Sequence, residues 1–340
     1  MAVTYQALKQ HIVEIKAREA SALARFLREQ SFNPYASAAE MERLVVESVR
    51  LVKLLPDELL KTLLAFRAHS NDEGVLVVRG LPLDDSRIGP TPLHWSTQAQ
   101  TKTCYDSEMC LLGIASLLGD VFAFSAQHQG SLIQNVLPTP ADASDQSGSS
   151  SAVFLDWHTE DACHCCRASF VALLCLRSHP AAATTFASIK KMDLPRRYLE
   201  CLFQPRFRIT CFDDSASGAA VVENGPTISV LYGCPDDPYV RYDAYCIQPD
   251  PGDSEAEEAL ACFASQIGAA ARQVILQQGD LLLLDNHRVV HGRTAFTPRF
   301  DGSDRWLQRA LIAADLRKSR AARLDRLRVI ETSDHSLLGC

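Results

Sequence analysis

The feature that most limits the fold is a change of texture near Gly74. Before it, from Thr4 to about Ser70, apolar residues recur at helical spacing, as in Leu23, Phe26 and Leu27 and again from Met41 to Phe66, with breaks at Asn33-Pro34 and Pro56. After it come short apolar stretches of strand length: Val75 to Val78, Phe122 to Phe124, Ser131 to Val136, Phe170 to Leu176, Phe207 to Cys211, Thr227 to Leu231, Gln273 to Leu276, Asp280 to Asp285 and Trp306 to Ala313. Helices are predicted between them over Tyr105 to Phe122, Arg196 to Phe203 and Ser254 to Ala271, and a turn at Leu83-Asp84-Asp85. Helices first, then many short strands with long connections, predict one mixed α+β domain around a barrel-like or jelly-roll sheet, not a parallel α/β fold.

Charge and cysteine usage narrow the partners. The 34 Lys and Arg against 41 Asp and Glu leave a net charge of -7, which argues against a nucleic-acid partner. No apolar run is long enough to span a bilayer, and MAVTYQALKQHIVEIKAREA has no secretory apolar core, so no membrane partner and a reducing, cytoplasmic setting are expected. Most of the 12 cysteines, among them Cys104, Cys110, Cys175, Cys201, Cys211, Cys234, Cys246 and Cys262, stand singly among apolar neighbours and read as small core residues. Cys163, Cys165 and Cys166 gather around His164 instead. A closed zinc site is disfavoured there, because its further ligands would come from isolated positions. The stretch Pro138 to Ser151 is a long polar loop, a candidate lid.

Phosphate-loop, dinucleotide and nucleophile-elbow signatures are absent. In Asp156-Trp157-His158-Thr159-Glu160-Asp161, a strand would turn His158 and Glu160 to one face. His291 follows the apolar strand Leu281 to Leu284. Two histidines and a carboxylate from separate strands make the facial triad of non-haem Fe(II) oxygenases, which leaves positions open for a cosubstrate and O2. Arg305, fourteen residues on, shares a strand face with Leu307 and Arg309. A guanidinium aimed into a barrel calls for a carboxylate, and 2-oxoglutarate supplies one. His11, His69, His94, His128, His179, His287 and His335 read as packing or surface residues.

The stretches LDWHTEDACHCCRASFVALLCLR, VRYDAY, QGDLLLLDNHRVVHGRTAF and PRFDGSDRWLQRALI resemble the clavaminate synthase-like Fe(II)/2-oxoglutarate oxygenases, most of all the branch of L-arginine and L-asparagine β-hydroxylases of peptide-antibiotic biosynthesis. VVRGLPLDDSRIGPTPLHW and GDVFAFSAQHQGSLIQNVLP extend the match upstream. The resemblance implies a single oxygenase domain over 1–340: a helical flank, 1–72, and a double-stranded β-helix core with insertions, 74–320. It implies that His158, Glu160 and His291 hold iron, that Arg305 and Thr185 bind the distal carboxylate of 2-oxoglutarate, and that Arg309 meets the substrate's α-carboxylate. Gln127 would meet the substrate's backbone end and Glu160 would also receive its α-ammonium, with Ser149 and Ser150 lining the pocket.

One departure bears on the substrate. Arginine hydroxylases of this branch present D-x-D, and here Asp243 is followed two residues on by Tyr245. A carboxylate with a phenol suits an amide, an ammonium or one edge of a guanidinium. Asp243 paired with Arg241 or Arg208 is the structural alternative, and Asp236-Asp237 offers another acid or simply a turn. The expectation is a hydroxylase of a free polar or basic L-amino acid (arginine, asparagine, glutamine or lysine type), acting at C3 with succinate and CO2 as coproducts. Glu160 argues against a halogenase, which needs that coordination position vacant. A desaturase, an oxygenase of a modified or carrier-tethered amino acid, and a non-catalytic metal or small-molecule binder are the rivals. A homo-oligomer is left open.

Overall fold

The computed structural model describes residues 10–30, 33–97, 102–210, 225–324 and 327–331. Cys211 and His335 lie outside them. The helices are α1 (Ala17–Arg28), α2 (Ala38–Leu51), α3 (Asp57–His69), α4 (Asp85–Ile88), α5 (Asp106–Ala115), α6 (Arg196–Leu202) and α7 (Ser254–Ala270). Side chains cap the starts of α2, α4 and α7: Ser37 accepts the Glu40 amide, Asp84 that of Ser86 and Asp253 that of Ala256.

The strands run β1 (Ile12–Glu14), β2 (Val75–Arg79), β3 (Asp120–Phe124), β4 (Gln134–Val136), β5 (Leu155–His158), β6 (Phe170–Arg177), β7 (Thr184–Ser188), β8 (Phe207–Ile209), β9 (Thr227–Ile228), β10 (Leu231–Cys234), β11 (Asp237–Val240), β12 (Ile247–Pro249), β13 (Arg272–Val274), β14 (Leu281–Asp285), β15 (Val289–Arg293), β16 (Trp306–Ala313) and β17 (Val329–Ile330). A large sheet has the order β1-β2-β14-β6-β16-β3-β17, with β4 also paired to β16. A smaller sheet has the order β13-β7-β15-β5.

Three apolar clusters show how these elements are layered. One face of the large sheet (Leu281, Leu283, Leu174, Ile312) packs on Leu23, Leu44, Leu63 and α5. Its other face (Leu282, Leu284, Leu173, Leu311) meets Phe186 and Val289 of the small sheet. The small sheet's outer residues Ala187 and Val290 pack on Phe263 and Ile267 of α7. The run Leu281 to Leu284 is apolar throughout because both of its faces are covered.

Three expectations change. Ile12–Glu14, read as helical, is a strand parallel to β2. The helix expected over Tyr105 to Phe122 stops at Ala115, every residue in it is buried, and the chain turns directly into β3. Gly119 makes that turn possible, since a Cβ there would lie 2.2 Å from the Ala313 carbonyl oxygen. The stretch Thr227 to Leu231 divides at Ser229-Val230 into β9 and the hairpin strand β10. Among the described residues no helix is long and apolar enough to cross a membrane.

Candidate active site

Antiparallel pairing of β5 and β15 sets His158 opposite His291, with ring centroids 4.3 Å apart. Glu160 follows two residues after His158, and its Oε2 lies 3.5 Å from His291 Nε2. One donor atom from each of these residues lies within 4.8 Å of the others. His158 Nδ1–H donates to the Asp156 carbonyl at 2.7 Å, which leaves Nε2 as the open lone pair, as metal-binding imidazoles are usually oriented. His291 Nδ1 is buried with no partner among the described residues. Gly292 lets the strands close here, since a Cβ would sit 2.3 Å from the Leu155 carbonyl oxygen.

Burial alone would raise the Glu160 carboxyl, but the Arg309 guanidinium, then His291 and His158, hold it well below the usual carboxylate range. Burial, followed by His158, pushes His291 down to about 4, so the ring is a neutral donor at neutral pH. Two nitrogens and an ionised oxygen on one side of a pocket suit a divalent transition metal with open coordination positions.

Arg309 donates to Glu160 Oε1 and, through Nε at 2.8 Å, to Gln134 Oε1. Arg305, only 6% exposed, makes no ion pair or side-chain hydrogen bond among the described residues. Burial pushes it down to about 10. It lines a narrow space with Cys175, Thr184, Leu276 and Leu307. A buried cation with no counter-charge is unfavourable unless an anion arrives, and this donor set fits the far carboxylate of a dicarboxylic cosubstrate.

Thr185 is not part of that set. Thr184 and Phe186 share the face of β7 that points between the sheets, because they pair with Arg293 and His291. Thr185 pairs with Gly292 and turns outward, where its Oγ1 is buried without a partner. The residue beside Arg305 is Thr184, one position earlier, since successive strand residues face opposite ways.

The other expected residues are placed as follows. Gln127 Nε2 donates to Asp161 Oδ1 at 2.5 Å and its Oε1 accepts from Gln134. Asp243 forms an isolated antiparallel bridge with His158, which puts both on one face. Neither arginine offered for Asp243 is its partner: Arg241 donates to the carbonyls of Ala162 and Cys163, and Arg208 pairs with Asp250. Tyr245 is 61% exposed. Asp237 is held by Arg288 and Lys190, so the Asp236-Asp237 pair serves the β10–β11 hairpin. Ser150 Oγ donates to Ser147 and accepts from Arg293, and the Ser149 carbonyl accepts from Thr139. Such bonds tie the loop from Pro138 to Ser151 to β15 rather than leaving it an open lid.

Asn286, Gln134 and Arg293 were not expected. Asn286, fully buried, accepts the Glu160 amide at 2.7 Å and donates to the carbonyls of Glu160 and Ala168. It therefore clamps both ends of the turn after the histidine–glutamate pair. Its position inside DNHRVVH was the only signal.

Residues 209–311 match the family model described as taurine catabolism dioxygenase TauD, TfdA family. An enduracididine beta-hydroxylase of Streptomyces hygroscopicus is 37% identical over 79% of this chain and 85% of that protein. An L-ornithine/L-arginine 3-hydroxylase of Catenulispora acidiphila is 32% identical over 92% of this chain and 97% of its own. A crystal structure of a non-heme iron oxygenase in complex with Fe and alpha-ketoglutaric acid superposes with a TM-score of 0.84 at 32% identity, covering 94% of this chain and 99% of the other. An asparagine oxygenase in complex with Fe(II), 2S,3S-3-hydroxyasparagine and succinate also gives 0.84, at 31% identity over 95% and 99%.

Proposed function

The chain belongs to the clavaminate synthase-like Fe(II)/2-oxoglutarate oxygenases of the TauD/TfdA family, and from that premise we propose that it hydroxylates a free polar or basic L-amino acid at C3. The observation that carries the reading is the pairing of a three-donor set, His158, Glu160 and His291, with a buried arginine that has no counter-charge among the described residues. Fe(II), 2-oxoglutarate and O2, bound together, supply the oxidising power that replaces C–H by C–OH as the cosubstrate becomes succinate and CO2.

In this reading His158, Glu160 and His291 hold the iron. Arg305, with Thr184 beside it, takes the distal carboxylate of 2-oxoglutarate and so orients its other end toward the metal donors. Arg309, already braced by Gln134, meets the α-carboxylate of the amino acid, while Gln127 and the Glu160 carboxylate receive its α-ammonium. Asp243, on the His158 face and without a cationic partner among the described residues, takes the side-chain nitrogen. The serine loop through Ser149 and Ser150, pinned by Arg293, forms the rim.

The same reading makes the two sheets the halves of a double-stranded β-helix within a single oxygenase domain, with 1–72 as its helical flank and 74–320 as its core. The cluster running from Leu23 to Ile312 supports one body, since flank and sheet share it. A cytoplasmic setting accords with buried thiols such as Cys104, Cys110, Cys175 and Cys201, which a reducing compartment preserves.

The test is a screen of the common L-amino acids for coupled succinate release under Fe(II), 2-oxoglutarate and O2, with His158→Ala as control. One polar or basic amino acid should drive succinate and yield a product heavier by one oxygen, and the variant should give none. A product lighter by two hydrogens would make the protein a desaturase, and substrate-driven turnover in His158→Ala would sink the iron assignment.

A further inference from the structure

We propose that His164, Cys165 and Cys166 form a second metal site, distinct from the histidine–glutamate set and selective for a thiophilic d10 ion of the zinc(II) or copper(I) class. A ring nitrogen and two thiol sulfurs, one donor atom per residue, lie within 4.8 Å of one another. The sulfurs are 3.7 Å apart. Two sulfurs at about 2.3 Å from a tetrahedral zinc ion stand about 3.8 Å apart, so the pair is already spaced for one ion.

The turn that carries these donors is held from outside. Asn286 clamps it at Glu160 and Ala168, and Arg241 donates to the carbonyls of Ala162 and Cys163 at 2.5 and 3.0 Å. Within it, the Cys166 amide donates to His164 Nδ1 at 3.0 Å, which keeps that nitrogen unprotonated. His164 Nε2 is buried with no partner among the described residues, and the ring packs edge-on against Phe124 at 4.6 Å. Burial, then Arg241 and Arg167, push His164 down to about 4, so the imidazole is neutral at physiological pH. A metal at His164 Nδ1 takes the lone pair that now accepts the Cys166 amide, so that one hydrogen bond opens on binding while the turn stays held from outside.

Donor chemistry separates this site from its neighbour. Sulfur with nitrogen selects zinc or copper(I), while carboxylate with imidazole suits iron(II). This is an open site with three protein donors, unlike the closed four-ligand site that the cysteine spacing argued against. Binding forms two S–metal bonds and one N–metal bond, releases the two thiol protons, and leaves a position for water. The ion would brace the turn that follows Glu160.

Cadmium(II) is the probe, titrated into reduced enzyme already loaded with Fe(II) and 2-oxoglutarate under anaerobic conditions. A sulfur-to-cadmium charge-transfer band should saturate at one equivalent, a signal that the sulfur-free iron site cannot produce. The Cys165→Ser/Cys166→Ser variant should lose the band, Cys163→Ser should keep it, and His164→Ala should bind about tenfold more weakly or worse. Substrate-coupled succinate release reports whether each variant is folded, with His164→Gln replacing His164→Ala if that one is not. No stoichiometric band in the wild type, an undiminished band in the double serine variant, or unchanged affinity in a folded His164 variant would each overturn the assignment.

Discussion

Strand β16 and the residue just before it place a buried polar group on each side of the large sheet, and the two are treated differently. Toward the helices, Gln308 donates to Glu108, whose carboxylate also takes Lys102 Nζ at 2.6 Å on both oxygens and the Tyr35 hydroxyl. Lys102 and Glu108 are fully enclosed, and each has its counter-charge. Between the sheets, Arg305 is 6% exposed and has none among the described residues. The first arrangement is complete without a ligand and serves folding. The second leaves a desolvated cation that only an anion can satisfy, so ligand binding offsets a deficit that folding leaves behind.

Removing one member of the complete pair should cost the most. Glu108→Ala leaves Lys102 buried and unpaired, and should destabilise the protein by about 3–5 kcal/mol in denaturant unfolding, with the KM for 2-oxoglutarate little changed in the folded fraction. Replacing both partners, Lys102→Met with Glu108→Leu, should recover most of that loss. A small effect from Glu108→Ala alone would erase the contrast between the two faces.

Arg305→Met should do the reverse. The apoprotein should be as stable as the wild type or more so, because an unpaired buried charge is gone, while 2-oxoglutarate binding should weaken by about 2–5 kcal/mol, roughly 30-fold to several thousand-fold. Equilibrium binding without turnover separates the two effects. A destabilised apoprotein with intact cosubstrate affinity would show that Arg305 has a structural partner.

The threonine pair sharpens the contrast to one residue. Thr184→Val should weaken 2-oxoglutarate binding by about 1.5–3 kcal/mol, the range for a hydrogen bond to a charged group. Thr185→Val should leave binding unchanged, and by removing an unpartnered buried hydroxyl it should keep or slightly raise stability. The opposite result would restore Thr185 to the cosubstrate and move the face assignment of β7.

That pair also shows how far the sequence could be read. The metal donors were legible because H-x-E on a strand and a distant histidine after an apolar strand form a sparse, chemically restrictive pattern. Leu307 and Arg309 share a face of β16 by strand parity, and Arg305, just before the strand and its register shift, lines the same narrow space as Leu307. Parity applied from Phe186, an apolar core residue, would have selected Thr184, but two adjacent threonines look alike to a resemblance. Asn286, Gln134 and Arg293 act through backbone groups or through other side chains. Their roles depend on which distant segments meet, and no local spacing records that. Helix ends behaved similarly: the stop at Ala115 depends on Gly119 passing under Ala313, a contact between segments almost two hundred residues apart.

The smallest expected effect concerns a half-buried group whose hydrogen bond is made but whose charge is not provided for. His287 accepts from Tyr232 through Nδ1, and burial, then Arg167 and Lys318, push its pKa down to about 4. Its unfolded value lies higher, near 6.5, so between the two the unfolded chain binds more protons and acid favours unfolding. The stability tied to a neutral ring is present above about pH 6.5 and is lost as pH falls toward 4. The full shift would correspond to about 3 kcal/mol, and a ring on a half-covered edge should yield roughly 1–2. His287→Gln keeps an acceptor for Tyr232 but cannot titrate, so its unfolding midpoint should fall less between pH 7 and pH 5 than that of the wild type. His128 and His164, depressed in the same direction, should preserve part of the slope. Identical acid limbs in variant and wild type would mean that His287 takes up its proton in the folded state, with Tyr232 turning away to let it.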